Sequence, residues 1–333
     1  MNQASPRQIV KAIQQGGAPE RPLVVPVVFA LGAKIENLPL RAYLENPTKI
    51  SNALRQVRTH LRCDGVACYF DPLLEVEALG GAATWDSANQ IRTIGWPDSP
   101  HRGELPSRLR APEDAANSPR VRAAIEVIRR LNATMRDEPL LMAGVSGPFT
   151  LAARLTQLDT ANLIGGVEPP EFALETAAAA ITKIASVFVE AGANLIFIRE
   201  DVLPRLTTEK CRSWASLLAP VFNIIRFYEA LPVLQLAREA ADAENVEMIL
   251  RESWDAVLCS ASQEFVRCAA SHQESLGFGF CLPREGLEAG NSPTATLPEV
   301  AGAKPTLLTT DGDVPVTTDL KRLMAAFDSL RGA

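Results

Sequence analysis

Eight short apolar runs alternate with longer amphipathic stretches along this chain, and that alternation restricts its fold more than any other feature. The runs are Leu23–Phe29, Gly65–Phe70, Leu140–Val145, Leu195–Ile198, Val233–Leu236, Ala256–Cys259, Gly277–Phe280 and Thr306–Thr309. Between and after them the spacing predicts helices over Asn46–Leu61, Ser118–Met135, Pro170–Ala191, Thr208–Glu229, Asp242–Glu252, Ser262–Ser275 and Thr318–Leu330. Gly192 follows the alanine-rich helix as a C-cap. Each run is apolar on both faces, as a parallel strand covered on both sides must be. An open doubly wound sheet fits the same pattern, but no GxGxxG follows the first run. Eight uninterrupted units favour closure. The expected fold class is α/β, a (β/α)8 TIM barrel forming one domain over residues 1–333.

Two segments interrupt the alternation after the second strand. AATWDSANQIRTIGWP (Ala82–Pro97) reads as a small hairpin, and Asp98–Pro112 as a polar, proline-rich loop. Residues 82–112 therefore form an insertion expected over the barrel mouth, where catalysis and binding take place in this architecture. A second Pro/Gly-rich stretch, Ala289–Lys304, lies between strands seven and eight. Each is read either as a lid or as a solvated connector.

The net charge of −6 argues against nucleic acid or an anionic membrane as partner. The N-terminus carries no secretory pattern, and no stretch is read as one of the roughly 20 apolar residues that span a bilayer. A cytoplasmic location is expected, with all six cysteines reduced. No CxxC occurs; Cys63 and Cys68 are separated by four residues.

Residues at the C-terminal ends of barrel strands face the ligand, and this selects the candidate site. Asp71 ends the second strand; it either faces the mouth or caps the following helix. Arg199, Glu200 and Asp201 close the fourth, as acid–base groups or as a surface ion pair with a cap. Ser146 and Gly147 precede Pro148, where backbone N–H groups either bind an anion or form a plain turn. Arg154 lies one helical turn beyond Thr150, facing a substrate carboxylate or solvent. Gln235 ends the fifth strand, and a neutral amide there orients a substrate. Cys281 follows the seventh, near Arg284, as a thiolate nucleophile or as a buried inert thiol. Asp311 and Asp313 flank Gly312; they complement Asp71 across the mouth or form a polar turn. His101 is a loop histidine, a general acid–base or merely exposed.

Four stretches carry a family resemblance. DGVACYFDPLLEVEALGG (Asp64–Gly81) resembles the uroporphyrinogen-decarboxylase pattern of a strand ending in aspartate, then a helix ending in EALG. GVSGPFTLAARL (Gly144–Leu155) resembles that family's glycine-rich strand end and P-[WF]-T-L helix start. EAGANLIFIRED (Glu190–Asp201) resembles its AGAD turn, and DGDVPVTTDLKRL (Asp311–Leu323) its final xPxTP block. Their order and spacing hold from about residue 20 onward, so the resemblance implies the barrel over nearly the whole chain.

The superfamily contains decarboxylases, which bind an octa-carboxylate tetrapyrrole, and cobamide-dependent methyltransferases, which bind zinc through His-x-Cys and a later Cys. In the former, the aspartate matching Asp71 holds the pyrrole N–H groups. The arginine-rich block after strand one is absent; FALGAK (Phe29–Lys34) stands there, and only Lys34 keeps a charge. Arg154 stands at a tyrosine position and Asp311 at a histidine position. The zinc set is replaced as well: Gln235 and Ala237 stand for His-x-Cys, and Asp311 or Gly312 for the late cysteine. No metal is expected. The segment Asn37–Leu54 looks like the methyltransferase branch.

The resemblance thus implies methyl-group transfer linked to a corrinoid, without zinc. Asp71, Glu200 and Asp311 are the expected catalytic acids. Lys34, Ser146, Arg154, Arg199, Asp201, Gln235, Cys281 and Arg284 are expected to bind a small-molecule substrate. No tightly bound cofactor is expected; a corrinoid serves as methyl donor or acceptor, carried by a corrinoid protein, and a homodimer is expected by analogy. Two alternatives stay open: a decarboxylase acting on a porphyrinogen or other carboxylated molecule, and a non-catalytic tetrapyrrole- or corrinoid-binding protein.

Overall fold

Ser5 starts the first helix, Pro6–Gln14, through a reciprocal cap: its hydroxyl accepts from the Gln8 N–H, and the Gln8 side chain accepts from the Ser5 N–H at 2.8 Å. Ile9, Val10 and Ile13 are buried, and Gln14 donates to the Ala230 carbonyl at 3.1 Å, so this helix covers the N-terminal end of the strands. The computed structural model describes residues 4–331 apart from 18, 91, 97–102, 108, 136–138, 165, 239, 261, 271–276 and 290–304.

The strands are β1 (Leu23–Val24), β2 (Gly65–Tyr69), β3 (Ala82–Trp85), β4 (Arg92–Gly95), β5 (Leu140–Ser146), β6 (Leu195–Glu200), β7 (Leu231–Leu236), β8 (Ala256–Ser260), β9 (Gly277–Leu282) and β10 (Leu307–Thr310). Eight of them form one parallel sheet in the order β1-β10-β9-β8-β7-β6-β5-β2. With helices on the outside this is a nearly closed (β/α)8 barrel. No ladder joins β1 to β2. That seam is held at its base by Asp64, whose N–H donates to the Val24 carbonyl at 2.9 Å. The Asp64 carboxylate accepts from the Val24 N–H (2.9 Å) and from Arg21 (2.7 and 2.8 Å).

The first strand is shorter than the run Leu23–Phe29 suggests. Pro26 has no N–H to give a ladder. The Val25 N–H still meets the Leu308 carbonyl at 2.9 Å, but the Val27 N–H goes to the Thr310 hydroxyl at 3.0 Å. The helices fall where the spacing puts them, within a few residues. Pro47–Leu61 is capped by Asn46, Thr208–Phe227 by Thr207 and Ala243–Leu250 by Asp242, each through its side chain. The predicted helix Ser262–Ser275 is seen as Gln263–Ala270, and residues 271–276 lie outside the described set.

The helix Glu171–Glu190 corrects one expectation. By length and composition it is apolar enough to cross a membrane. Here Ala173, Ala177, Ile181, Ile184 and Phe188 form a face buried in the fold. Gly192 follows it with φ +112°, a left-handed conformation that glycine adopts freely. The strands β3 and β4 pair antiparallel from Ala82↔Gly95 to Trp85↔Arg92, the hairpin read from the sequence.

Candidate active site

β2 carries Asp71 to the C-terminal end of the barrel. Its Oδ1 accepts from the Leu73 N–H at 3.0 Å, which fixes the turn into the helix Leu74–Ala78. The same oxygen accepts from the Arg92 guanidinium. Oδ2 is buried and has no hydrogen-bond partner among the described residues. Asp71 thus caps a turn and still presents one bare oxygen. The two readings of this residue from sequence are both realised.

Arg92 comes from β4, so the hairpin reaches back to the strand end. It also donates to Glu77 at 2.8 Å and lies over the Trp85 ring at 5.8 Å. Its side chain is 5% exposed and that of Asp71 6%, so the pair is shielded from water. Arg120, in the first turn of the helix Pro119–Met135, is buried beside Tyr69 and 3.8 Å from Glu77. Arg92, Arg120, Tyr69 and Glu77 escaped the reading of the sequence. The one signal that could have found them was a lone arginine in a hairpin directly after the strand-end acid.

A cleft of about 260 Å³ opens in front of Asp71. Phe70, Pro72, Gly144 and Val145 line its apolar side; Ser146, Arg154, Arg199 and Asp201 line its polar side. Asp71, Ser146, Arg154, Arg199 and Asp201, all five expected from the sequence, therefore meet in one place. Asp201 bridges the two arginines, accepting from Arg154 Nη2 and Arg199 Nε, each at 2.5 Å. Arg154 Nη1 also donates to Ser146 Oγ at 2.8 Å. Behind Ser146 sits Glu75, which accepts its N–H (2.8 Å) and hydroxyl (3.2 Å). Burial pushes the Glu75 carboxyl up to about 7, against the hydrogen bond from the Ser146 N–H.

The other expected residues lie elsewhere. Glu200 was expected to act in the mouth; its side chain instead accepts four hydrogen bonds at the start of the helix Pro148–Leu155. The donors are Phe149 N (3.1 Å), Thr150 N (2.8 Å), Thr150 Oγ1 (2.6 Å) and Trp214 Nε1 (3.0 Å). It is fully buried and outside the cleft lining, which corrects that expectation. A side chain at Gly147 would collide with it, so the glycine makes room for the acid. Lys34 is likewise corrected: its ammonium donates to the Thr317 and Thr318 carbonyls at 3.3 and 3.0 Å, away from the cleft.

Asp311 is engaged by Arg284, whose Nε and backbone N–H donate to its Oδ1 at 2.8 and 3.2 Å. Burial raises the Asp311 carboxyl while Arg284 opposes the shift. Asp313 accepts from Phe29 N (2.7 Å) and Ala30 N (2.8 Å), and burial pushes it up to about 7. Gln235 is buried, donating to Cys281 Sγ (3.4 Å) and the Thr310 carbonyl (3.2 Å). Burial pushes the Cys281 thiol up to about 11, which keeps it protonated and weakens the nucleophile reading. Arg199 links this second group to the cleft, since its Nη1 donates to the Asp311 carbonyl at 2.5 Å. His101 and residues 290–304 lie outside the described set.

The donor set does not fit zinc. Among the described residues no three His, Cys, Asp or Glu side chains converge. Gln235 and a protonated Cys281 stand where ligands would, and the nearest acid, Asp311, is committed to Arg284. Nor does the cleft, as bounded by the described residues, fit a corrin or porphyrin macrocycle, which is several times larger than a single ring.

Residues 5–224 match the family model described as uroporphyrinogen decarboxylase (URO-D). Among solved structures the chain is similar to a methyltransferase from Methanosarcina mazei, with a TM-score of 0.72, 16% identity and 98% of each chain covered. It is also similar to 3-keto-D-glucoside 4-epimerase from E. coli, with a TM-score of 0.40 and 9% identity over 64% of this chain and 86% of that one. No curated protein matches significantly.

Proposed function

The chain belongs to the uroporphyrinogen decarboxylase family, and from that premise we propose that it is an enzyme transferring a methyl group to or from a small, carboxylate-bearing molecule held in the Asp71 cleft. The observation that carries this reading is the bare, buried Oδ2 of Asp71 facing a cleft whose far side holds Arg154 and Arg199. A carboxylate fixed by Arg92 and the Leu73 N–H is preorganised to take or return the proton of a reacting X–H group. The two arginines suit a carboxylate, which can share them with Asp201 or displace it. Phe70, Pro72 and Val145 shield the remaining body from water.

A corrinoid does not fit inside this cleft. In this reading the methyl carrier is a second substrate, presented at the mouth by a separate protein. The likeness to a methyltransferase supports the choice through fold alone. A decarboxylase is the second reading, favoured by the same arginine pair, since a carboxylate is what such an enzyme must hold.

The test offers methylcobalamin to the purified chain with a panel of small thiols, alcohols and hydroxy acids. Transfer is read from the loss of the methyl–cobalt absorbance. Wild type should turn over at least one acceptor, and Asp71→Asn should lose about a hundredfold in rate. Carbon dioxide release from uroporphyrinogen without methyl transfer would replace this reading with the decarboxylase.

A further inference from the structure

Three buried polar atoms around Asp71 lack a hydrogen-bond partner among the described residues: Asp71 Oδ2, the Tyr69 hydroxyl and Arg120 Nη1. Tyr69 is fully buried, Arg120 is 5% exposed and the Asp71 side chain 6%. They lie together, because the charges of Asp71 and Arg120 both act on Tyr69, and Arg120 feels Tyr69, Asp71 and Glu77. Arg120 stands beside the Tyr69 hydroxyl, near it but outside good hydrogen-bond geometry. Leaving even one such group unpaired in the interior is costly, since it has given up its water without gaining a partner. A cluster of three calls for an occupant.

Their hydrogen-bonding types identify it. Asp71 Oδ2 is an acceptor; the Tyr69 O–H and Arg120 Nη1–H are donors. A hydroxyl group carries one donor and two acceptor lone pairs, which is the complement of this set. A carboxylate has no hydrogen to give Asp71 and would be repelled by it. An ammonium has no lone pair for Tyr69 or Arg120. A water molecule leaves one O–H over.

We propose that Tyr69, Asp71 and Arg120 form a subsite for a hydroxyl group of the substrate, with Arg92 as the positioning residue that turns Asp71 Oδ2 toward it. This rests on the cleft reading above and deepens it: the small molecule is a hydroxy acid. Its hydroxyl enters between Tyr69, Asp71 and Arg120, its apolar body lies along Phe70 and Val145, and its carboxylate meets Arg154 and Arg199. Arg92 contributes through the bond to Oδ1, which leaves only Oδ2 for the ligand.

Calorimetric titration of the full chain with benzoate, 3-hydroxybenzoate and 4-hydroxybenzoate tests this. One hydroxybenzoate should bind wild type at least about tenfold more tightly than benzoate. That ratio should fall toward one in Tyr69→Phe and in Asp71→Asn, and partway in Arg92→Lys. A merely structural role for Arg92 would weaken all three acids equally and leave the ratio unchanged. Tyr69→Phe removes an unpaired hydroxyl, so its thermal midpoint should equal or exceed that of wild type; a large drop would mean the hydroxyl already has a partner, and the proposal fails. Equal binding of benzoate and both hydroxybenzoates overturns the hydroxyl subsite and leaves the carboxylate cleft standing. Binding of none of the three overturns the cleft reading and this inference with it.

Discussion

Glu200 and Asp71 are both acids at strand ends, yet their surroundings give them opposite tasks. All four bonds that Glu200 receives come from donors. An amide in its place would turn an NH2 group toward two of them. Glu200→Gln should therefore destabilise the fold by about 2–4 kcal/mol, measured by urea unfolding near neutral pH. Loss of less than half that would mean the four bonds carry little. From sequence the two acids looked alike, because strand position fixes only which end of the barrel a residue occupies. Which way Glu200 turns depends on Gly147 and Trp214, far from it along the chain. Ser146, Arg154, Arg199 and Asp201 were legible since strand ends and the turns that follow them are local features. Arg92 and Arg120 were not, since their burial is set by a hairpin and a helix that fold back over β2.

At the scale of elements, the turn after the helix Glu171–Glu190 shows how closely the outer layer packs. Gly192 has φ +112°, and a Cβ there would run into the Asn132 side chain on the helix Pro119–Met135. Gly192→Ala should cost about 1–3 kcal/mol by thermal or chemical melting, from backbone strain together with that clash. In an Asn132→Ala background the same substitution should cost less, because only the backbone part remains. Equal costs in both backgrounds would remove the clash from the explanation. The glycine itself was readable as a cap; its partner was not, since helices adjacent in space are separated by a whole strand in sequence. The first strand illustrates the converse. Its apolar run was legible, but Pro26 trims the ladder and leaves the β1–β2 seam to Asp64.

For the molecule as a whole, three fully buried carboxyl groups set a common dependence on pH. Burial raises Glu75, Glu200 and Asp313 to about 7, from ordinary values of 4.5, 4.5 and 3.8. A carboxyl raised on folding binds its proton more tightly in the native state than in the unfolded chain. Stability from these groups is thus fully present below the unfolded values, near pH 4, and is lost as pH rises through about 7. The free energy of unfolding should therefore fall between about pH 5 and pH 7.5, then level off. Glu75→Gln isolates one share of this slope. Glutamine can accept the Ser146 N–H and donate to the Ser146 hydroxyl, so the site keeps both bonds without a charge. The variant should match wild type near pH 5, exceed it near pH 8 and show a flatter profile in urea titrations across that range. A profile that rises with pH, or a Glu75→Gln variant weaker than wild type near pH 8, would show that the Ser146 bonds outweigh burial and hold Glu75 ionised in the native barrel.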